Sequence, residues 1–375
     1  MKKLLSALLV LSLLLCGCSV QITIDPGVSS QPTTPTAPAA PTPSTNPTEP
    51  ASTEPTGEIM GDLQIHFIDV GQADSILVDC GGEVMLVDGG NVADGQLVVS
   101  YLEQLGIEEL EYVISTHPHE DHVGGLAAVM AVFPTKHVYS PMNNYGSKAF
   151  DNFLYYVDQQ GLQLHMPLAD EQFTLGGAVV TVLGPVFTYP DVNDMSIVLR
   201  IDYGETSFLL TGDMERNAEE GMLNYHKGKD MKVDVLKVGH HGSSTSTGYL
   251  LLHETDPDYA VISVGTGNDY GHPHEETLSK FRDADITTFR TDKLGTVIAT
   301  SDGKEITFTW GNQDADPDNL LPNEDVKVSF IGNVNSKKLH TDSCASLPKE
   351  SNRVYFDSLE EALAEGYTPC DSCMK

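Results

Sequence analysis

The chain has 375 residues and carries 54 acidic residues against 21 lysines and arginines, for a formal net charge of −33. This length allows one large core and a small additional module. The negative charge excludes a general electrostatic attraction to nucleic acid or to an anionic membrane, so a nucleic-acid substrate would need a local basic patch or metal ions to hold it.

Residues 1–18 are predicted to be a targeting signal rather than part of a folded domain. Lys2 and Lys3 precede the apolar run LLSALLVLSLLL, which is too short to span a membrane as a helix. The LCGC segment that follows resembles a bacterial lipoprotein signal, in which Cys18 is lipidated and begins the mature chain. We therefore expect a lipid anchor on the extracellular face of the bacterial membrane, with no transmembrane helix in the mature chain. An ordinary secretory signal is the alternative.

Residues 19–60 are predicted to be a disordered linker. The segment QPTTPTAPAAPTPSTNPTEPASTEPTGE consists mainly of Pro, Thr, Ser and Ala and cannot bury a core. Its proline content favours extended polyproline conformations, so the segment is expected to act as a tether.

Residues 61–310 have the strand and helix signals of one large domain. The runs LQIHFIDV, DSILVDC, EVMLVDGG and LEYVIST are rich in branched apolar residues, as buried strands are. VVSYLEQLGI and DHVGGLAAVMAVF favour helices, and AVVTVLGP, SIVLRIDYGETSFLLTGD, VDVLKVGHHGSS and DYAVISVGTGNDYGHPH contain further strands. This mixture predicts an α+β fold in which two sheets have helices outside them, a four-layer αβ/βα sandwich. Cys80 is expected in its core.

The stretch ISTHPHEDHVGG concentrates metal-binding side chains directly after an apolar strand. It holds three histidines and two carboxylates between His117 and His122. Asp213, His240 and His272 also follow apolar strands, and the carboxyl ends of neighbouring strands can meet at one edge of a sheet. The combination of imidazole and carboxylate groups suits zinc, and also manganese or iron.

These motifs resemble those of the metallo-β-lactamase superfamily. THPHEDHVGG contains the His-x-His-x-Asp-His signature of that family in full. FIDVGQADSILVD, LVDGG, NDMSIVLRI, LLTGD, DVLKVGHHGS and GHPH are similar to the hydrolase domain of ComEC competence proteins, over residues 63–310. The resemblance implies the metallo-β-lactamase fold and a hydrolase with two divalent ions, zinc or manganese.

The resemblance also implies, position by position, which residues bind the metals. The implied ligands are His117 and His119 for the first metal, Asp121 and His122 for the second, and Asp213 between the two. Asp69 in FIDVGQ and Asp88 in VDGG are interpreted either as supports for the ligands or as plain turn aspartates.

Two positions of the family pattern are open in this sequence. Many members carry a histidine before the bridging carboxylate, but PVFTYPDVNDMSIVL contains none. The HHGS motif would supply a replacement through His240 or, as the less favoured choice, through His241. His272 of GHPH is the expected last ligand of the second metal, with His274 as its rival.

Two adjacent cations imply hydrolysis by an activated water. A water that bridges them would lose its proton near neutral pH and become the hydroxide nucleophile. Asp121, or whichever of His240, His241 and His274 binds no metal, is the candidate that protonates the leaving group. Such a centre suits phosphodiesters, and also esters and lactones.

The end of the chain has the pattern of a separate zinc module. Residues 311–326 are a predicted linker and residues 327–375 a second unit, whose predicted structural zinc ligands are His340, Cys344, Cys370 and Cys373. Disulfide pairing is the alternative in an exported chain, but three cysteines would leave one unpaired and the histidine unused. YFDSLEEALAEGYTPCDSC resembles the metal-binding domain of the DNA-repair protein Ada, with His340 in place of that family's first cysteine.

The sequence therefore predicts a surface-anchored two-metal hydrolase with an appended zinc module. A phosphodiesterase or nuclease acting on DNA is the favoured activity, since similar small modules follow secreted nucleases. An esterase, lactonase or phosphocholine-esterase type hydrolase of small or cell-wall substrates is the first alternative, and the strong acidity favours it. A binding protein without catalysis is the second, and the intact ligand cluster argues against it.

Overall fold

The computed structural model describes residues 61–315, 317, 330–341 and 344–374. The predicted signal at 1–18 with its Cys18, the predicted linker at 19–60 and most of the predicted linker at 311–326 lie outside the described residues. No helix within the described ranges is long and apolar enough to cross a membrane.

Two mixed sheets make up the large domain, with helices on their outer faces. The strands are β1 (Leu63–Phe67), β2 (Ile76–Cys80), β3 (Glu83–Val87), β4 (Leu110–Ile114), β5 (Thr135–Tyr139), β6 (Leu164–His165), β7 (Gln172–Leu175), β8 (Ala178–Gly184), β9 (Val198–Tyr203), β10 (Thr206–Leu210), β11 (Val235–Lys237), β12 (Tyr259–Ile262), β13 (Thr287–Arg290), β14 (Val297–Ser301) and β15 (Ile306–Trp310). The helices are α1 (Gly95–Gln104), α2 (Glu120–Val123), α3 (Leu126–Val132), α4 (Lys148–Gln159), α5 (Arg216–Tyr225), α6 (Tyr249–Thr255), α7 (Glu275–Asp283) and α8 (Thr291–Leu294).

The strand order brings several carboxyl ends to one edge of the domain. The first sheet has the order β15-β14-β1-β2-β3-β4-β5-β6, and β3 to β6 are parallel. The second has the order β13-β12-β11-β10-β9-β8-β7, and β10 to β13 are parallel. The segments that follow β4 and β10 to β12 carry the predicted ligands, so the topology itself collects them.

Alternating side chains on the strands build the layers. In β2, Ile76, Val78 and Cys80 point between the two sheets, whereas Leu77 points toward the helices α1, α3 and α4. The helices α5, α6 and α7 cover the outer face of the second sheet in the same way. The predicted αβ/βα sandwich is confirmed, and Cys80 is a fully buried free thiol in its centre.

A third, small sheet forms the C-terminal module. Its strands, in the order β18-β16-β17-β19, are β16 (Phe330–Asn333), β17 (Lys338–Thr341), β18 (Arg353–Phe356) and β19 (Thr368–Pro369), and its helix is α9 (Leu359–Ala364). Ser358 caps this helix by accepting a hydrogen bond from the Glu361 backbone N–H. Phe330 in the module's core also packs edge-on against Tyr249, at the start of α6, with ring centroids 5.4 Å apart.

One buried histidine in β1 ties the stability of the large domain to pH. His66 is 3% exposed, and its Nδ1 lies 2.8 Å from the Tyr101 hydroxyl of α1. Burial lowers the pKa of His66 from 6.5 to about 4, and Asp79 offsets only part of that effect. The folded state therefore prefers the neutral ring, so this contribution to stability is present above pH 6.5 and is lost as pH falls toward 4.

Replacing His66 with phenylalanine should make the unfolding free energy depend less on pH below neutrality. Between pH 7.5 and pH 5.0, the wild type should lose about 2 kcal/mol more unfolding free energy than His66→Phe, because the variant has no imidazole to protonate. Urea unfolding at the two pH values measures this difference, and groups common to both proteins cancel. Equal losses in the two proteins would show that His66 does not titrate as its burial requires.

Candidate metal centre

The histidine-rich motif begins in the segment between β4 and α2 and continues into the first turn of α2. His119 has an extended backbone and directly precedes α2, so the chain turns sharply between His117 and His122. A Cβ on Gly125 would collide with the backbone of Gly89, and one on Gly124 would collide with Glu120 and the 91–92 backbone. The Gly-Gly pair therefore lets the first turn after the motif lie directly against the loop that follows β3.

The second sheet contributes Asp213, after β10, and the HHGS loop, after β11. His240 and His241 both have left-handed backbones, with φ of 47° and 54°. Non-glycine residues rarely adopt this conformation, and such strain is concentrated at functional sites. The His241 ring donates from Nδ1 to the Ser263 carbonyl at 3.1 Å, which leaves its Nε2 available on the other side.

Four of these side chains form one compact group, which we call the second-metal cluster. Their ligand atoms all lie within 4.8 Å of one another, and the members are Asp121, His122, Asp213 and His241. His122 Nε2 lies 3.2 Å from Asp213 Oδ2, and His241 Nε2 lies 3.4 Å from Asp121 Oδ2. Two imidazoles and two carboxylates at this spacing suit a divalent ion such as zinc or manganese.

His117 and His119 lie beside this cluster and form the first-metal group. His117 Nε2 lies 3.1 Å from His119 Nδ1 and 3.9 Å from Asp213 Oδ2. Asp213 is therefore adjacent to both sets of side chains, in a position from which its carboxylate could contact two cations.

The two histidines of HHGS have different surroundings. The sequence interpretation favoured His240 as a ligand, and that role stays a prediction; the structure places His241 in the second-metal cluster. His240 is a quarter exposed and its Nδ1 donates to Glu215 at 3.0 Å, while its Nε2 lies 3.7 Å from Asp213. The physical reason is the left-handed loop, whose consecutive side chains diverge, so that one reaches the buried cluster and the other its rim.

A cavity open to solvent lies over the predicted ligands, and Asp121, Asp213 and His241 are among the residues that line it. The GHPH histidines lie close to this cavity. His272 lines it, with its ring centroid 5.6 Å from that of His240 and 6.5 Å from that of His241. Its Nδ1 lies 3.4 Å from the Gln72 amide nitrogen. His274 Nδ1 instead accepts the Ser244 backbone N–H at 2.9 Å. His272 is therefore the member of this pair that faces the cavity, and its role as a ligand stays a prediction.

Several buried atoms of the site lack the partners that buried polar atoms need. Among the described residues, His122 Nε2, His241 Nε2 and Asp213 Oδ1 are inaccessible to solvent and make no hydrogen bond. Unsatisfied polar atoms of this kind are costly in a protein interior. All three belong to residues of the second-metal cluster, where a bound cation would compensate them, and the residues present fit a metal.

The electrostatics favour a positive ion in the same place. Burial alone lowers the pKa of His122, but Asp213 and Asp88 outweigh it and raise that pKa well above its usual value. Burial is likewise outweighed at His241, where Asp213 and Asp74 raise the pKa to about 10. Protons thus compensate the buried carboxylates when no metal is present, and a divalent ion would compete with them.

Asp88 holds His122 in the ring orientation that a ligand needs. Its Oδ2 accepts from His122 Nδ1 at 2.8 Å and from the Thr116 hydroxyl at 2.6 Å, and its Oδ1 accepts the Thr116 backbone N–H at 2.8 Å. Nε2 of His122 is then directed to the metal cluster. Asp69, by contrast, accepts the Gly71 N–H and closes a turn.

Four supporting residues were missed by sequence reasoning. Lys237 and Asp74 form a fully buried ion pair at 2.9 Å, and Asp74 lies 3.4 Å from His241 Nδ1. Ser196 accepts the Asp213 backbone N–H at 3.1 Å, and Glu215 holds His240. Lysines are rarely fully buried unless paired, so a lysine inside the apolar run DVLKV was a usable signal.

The C-terminal module contains a second, separate ligand group. Its four atoms lie within 4.8 Å of one another, and the members are the predicted His340, Cys344, Cys370 and Cys373. His340 Nδ1 lies 3.3 Å from Cys344 Sγ, and none of the three cysteines forms a disulfide in the described part of the module. Backbone N–H groups of Ser346 and Ser372 point at two of the sulfurs, as they do toward thiolates in metal sites. This donor set fits a tetrahedral structural zinc.

Comparison with known families identifies both domains. The family described as the metallo-beta-lactamase superfamily matches residues 68–266. This chain belongs to the metallo-β-lactamase superfamily. It is a metal-dependent hydrolase of that superfamily, and residues 325–375 match the metal-binding domain of Ada. Both resemblances predicted from the sequence are confirmed.

The curated relatives of this metallo-β-lactamase superfamily member include a ComE operon protein and a recombination protein. ComE operon protein 3 of Bacillus subtilis (strain 168) is 29% identical over 253 residues, which cover 62% of this chain and 32% of that protein. Recombination protein 2 of Haemophilus influenzae is 33% identical over 226 residues, covering 58% and 26%. The chain thus spans about a third or less of the length of these relatives.

Solved structures include the metallo-β-lactamase fold protein YhfI from Bacillus subtilis. It is 14% identical to this chain, with a TM-score of 0.44, and the match covers 66% of this chain and 100% of YhfI.

Replacing Asp88 with asparagine should weaken metal binding at the second-metal cluster. An amide keeps the size of the side chain but can offer His122 Nδ1 an N–H group, which disturbs the ring's tautomer. The affinity of that site should fall about 10- to 100-fold, as measured by competition with a chromophoric chelator. Asp69→Asn is the matched control and should bind metal as the wild type does. An unchanged affinity in Asp88→Asn would mean that Asp88 serves only the turn.

Replacing Cys373 with serine should remove the zinc of the C-terminal module and leave the metals of the large domain bound. Three remaining ligands bind zinc much less tightly than four, and a module of this size is marginal without its ion. Elemental analysis should show one zinc fewer, and limited proteolysis should cut the module while leaving the large domain intact. Cys80→Ala should retain every metal, and an unchanged zinc content in Cys373→Ser would contradict the four-ligand site.

Proposed function

We propose that this protein is a two-metal phosphodiesterase that cleaves DNA on the outer side of the cell membrane. The observation that carries the proposal is the position of Asp213, a member of the second-metal cluster whose carboxylate also lies 3.9 Å from His117 of the first-metal group. In phosphodiester hydrolysis two ions can stabilise both the attacking and the leaving oxygen. Bound at these residues, the metals would supply Lewis acidity and an activated water.

The remaining residues of the cavity suit a phosphate ester as substrate. The cavity encloses about 350 Å³ and is open to solvent on one side. His240 lies at its rim, where burial is outweighed by Glu215 and Asp213 and the pKa of the ring is raised. A protonated His240 can donate a hydrogen bond to a phosphate oxygen or a proton to the leaving oxygen, while Glu215 fixes the ring.

The case for DNA rests on the relatives and on the rim of the cavity. Two of the curated relatives are named for recombination and for competence, Recombination protein 2 of Haemophilus influenzae and Competence protein ComA of Neisseria gonorrhoeae, and recombination acts on DNA. Tyr270, which is 69% exposed, stacks on His272 beside the cavity, and aromatic rings of this kind bind unpaired bases. With a net charge of −33, the protein would depend on its metals to hold the phosphates.

The location outside the cell follows from the N-terminal sequence. The predicted lipid on Cys18 would hold the chain at the membrane, and the proline-rich residues 19–60 would let the domain reach substrate some distance away. The DNA substrate would then be extracellular.

An esterase or lactonase of small or cell-wall substrates is the second candidate. The overall acidity of the chain favours it, since a neutral substrate is not repelled. A binding protein without catalysis, the other alternative from the sequence, would be expected to have lost metal ligands. The predicted ligands are instead all present and lie together: His117, His119, Asp121, His122 and Asp213.

Activity assays on metal-loaded protein lacking residues 1–57 separate these candidates. After loading with zinc or manganese, the protein should cleave single-stranded or double-stranded DNA and bis-p-nitrophenyl phosphate. Asp213→Ala should lower the rate by at least about a thousandfold, because the shared carboxylate is gone. Turnover of esters or lactones with DNA untouched would replace the nuclease proposal with the small-substrate one.

A further inference from the structure

The ligand that the family pattern places before the bridging carboxylate has no histidine to supply it here. The segment PVFTYPDVNDMSIVL contains no histidine. Near its end, a short 3-10 helix spans Asn193–Met195, immediately before β9. Asn193 lines the same cavity as His119, Asp213 and His240. A residue able to bind a metal is therefore present at this place, although it is not an imidazole.

The orientation of the Asn193 amide is fixed by its neighbour. Its Nδ2 donates to Glu215 Oε1 at 3.3 Å, and an ionised carboxylate can only accept, so the nitrogen must face Glu215. The backbone N–H of Asn193 is held by Asp191 at 3.0 Å. The amide oxygen must then point away from Glu215.

That oxygen is buried and unsatisfied. Asn193 is 8% exposed, and its Oδ1 makes no hydrogen bond with any described residue. A buried carbonyl oxygen without a partner is costly, and native structures rarely keep one unless an ion or water completes it. Asp213 Oδ1, in the same cavity, lacks a partner in the same way.

We propose that Asn193 is a ligand of the first metal through its amide oxygen, alongside His117, His119 and Asp213. The inference rests on the proposed two-metal centre and deepens it. An amide oxygen is a harder ligand than imidazole, and oxygen-rich sites favour manganese over zinc. Substituting asparagine for the missing histidine should therefore shift the first site toward manganese.

Glu215 links this ligand to the rim of the cavity. Its Oε1 accepts from Asn193 Nδ2, from His240 Nδ1 and from the Thr245 hydroxyl. Glu215 is thus a positioning residue that sets the direction of both the amide oxygen and the His240 ring. This arrangement explains why a carboxylate follows the bridging aspartate so closely in the sequence TGDMER.

Metal-binding measurements on the full chain test the inference without any substrate. Asn193→Leu removes the oxygen while nearly keeping the volume, and it should lower manganese affinity at the first-metal site about 10- to 100-fold. Asn193→His should restore the family's imidazole and move the zinc-to-manganese affinity ratio at least about tenfold toward zinc. Equilibrium dialysis with elemental analysis gives the affinities, and the visible spectrum of the cobalt-loaded protein reports the change of ligand.

Asn217→Leu is the matched control for disturbance of the segment. The Asn217 side chain hydrogen-bonds Asp194, next to Asn193, but does not line the metal cavity. This variant should bind both metals as the wild type does. Wild-type manganese affinity in folded Asn193→Leu would overturn the inference. Should that variant not fold, an unchanged affinity ratio and cobalt spectrum in Asn193→His would overturn it instead.

The two proposals fail in different measurements. If wild-type protein cleaves DNA while the Asn193 variants bind metals normally, the ligand inference is wrong and the nuclease proposal stands. If metal binding depends on Asn193 while no DNA is cleaved, the ligand inference stands and the proposed substrate is wrong.

Discussion

The buried carboxylate of Asp213 is the constraint on which the active edge of the large domain depends. It is 2% exposed, and an uncompensated charge at such a depth costs on the order of several kcal/mol. His122 and His241 approach it from opposite sheets, so compensation of this one charge holds the two halves of the sandwich together at this edge. The buried charge of Asp213 therefore determines both where a metal can bind and how the two sheets are held together at this edge.

Further buried charges keep the compensating rings in place. Asp88 holds His122 from the first sheet, and the Asp74–Lys237 pair spans the two sheets behind His241. Each is nearly inaccessible to solvent, where charge pairs are costly to break and specify one geometry. A carboxylate thus stands beside both imidazoles of the second-metal cluster, which is the usual way in which metal-binding histidines are oriented.

The sequence predicted the layers and most of the ligand positions because these follow from local patterns. Apolar strands that end in polar residues predict both the sheets and the edge where ligands collect. Which of His240 and His241 lies in the second-metal cluster was not predictable, because it depends on two consecutive left-handed residues that no local pattern requires. Asn193 could not be predicted from a local pattern, because its proposed role depends on the hydrogen bond with Glu215 that fixes the amide.

The C-terminal module contacts the large domain next to the loop that carries His241. Buried Glu219 accepts the backbone N–H groups of Thr247 and Gly248, and Lys280 donates to the Thr247 carbonyl, so the end of this loop is held from beneath. Tyr249 is the next residue after Gly248, and its ring packs against Phe330 of the module. His340 of the predicted zinc site lies on β17, which pairs with the strand β16 that carries Phe330. The small domain therefore contributes apolar packing to the segment that positions a metal-cluster histidine, a structural role that requires no contact between the module and DNA.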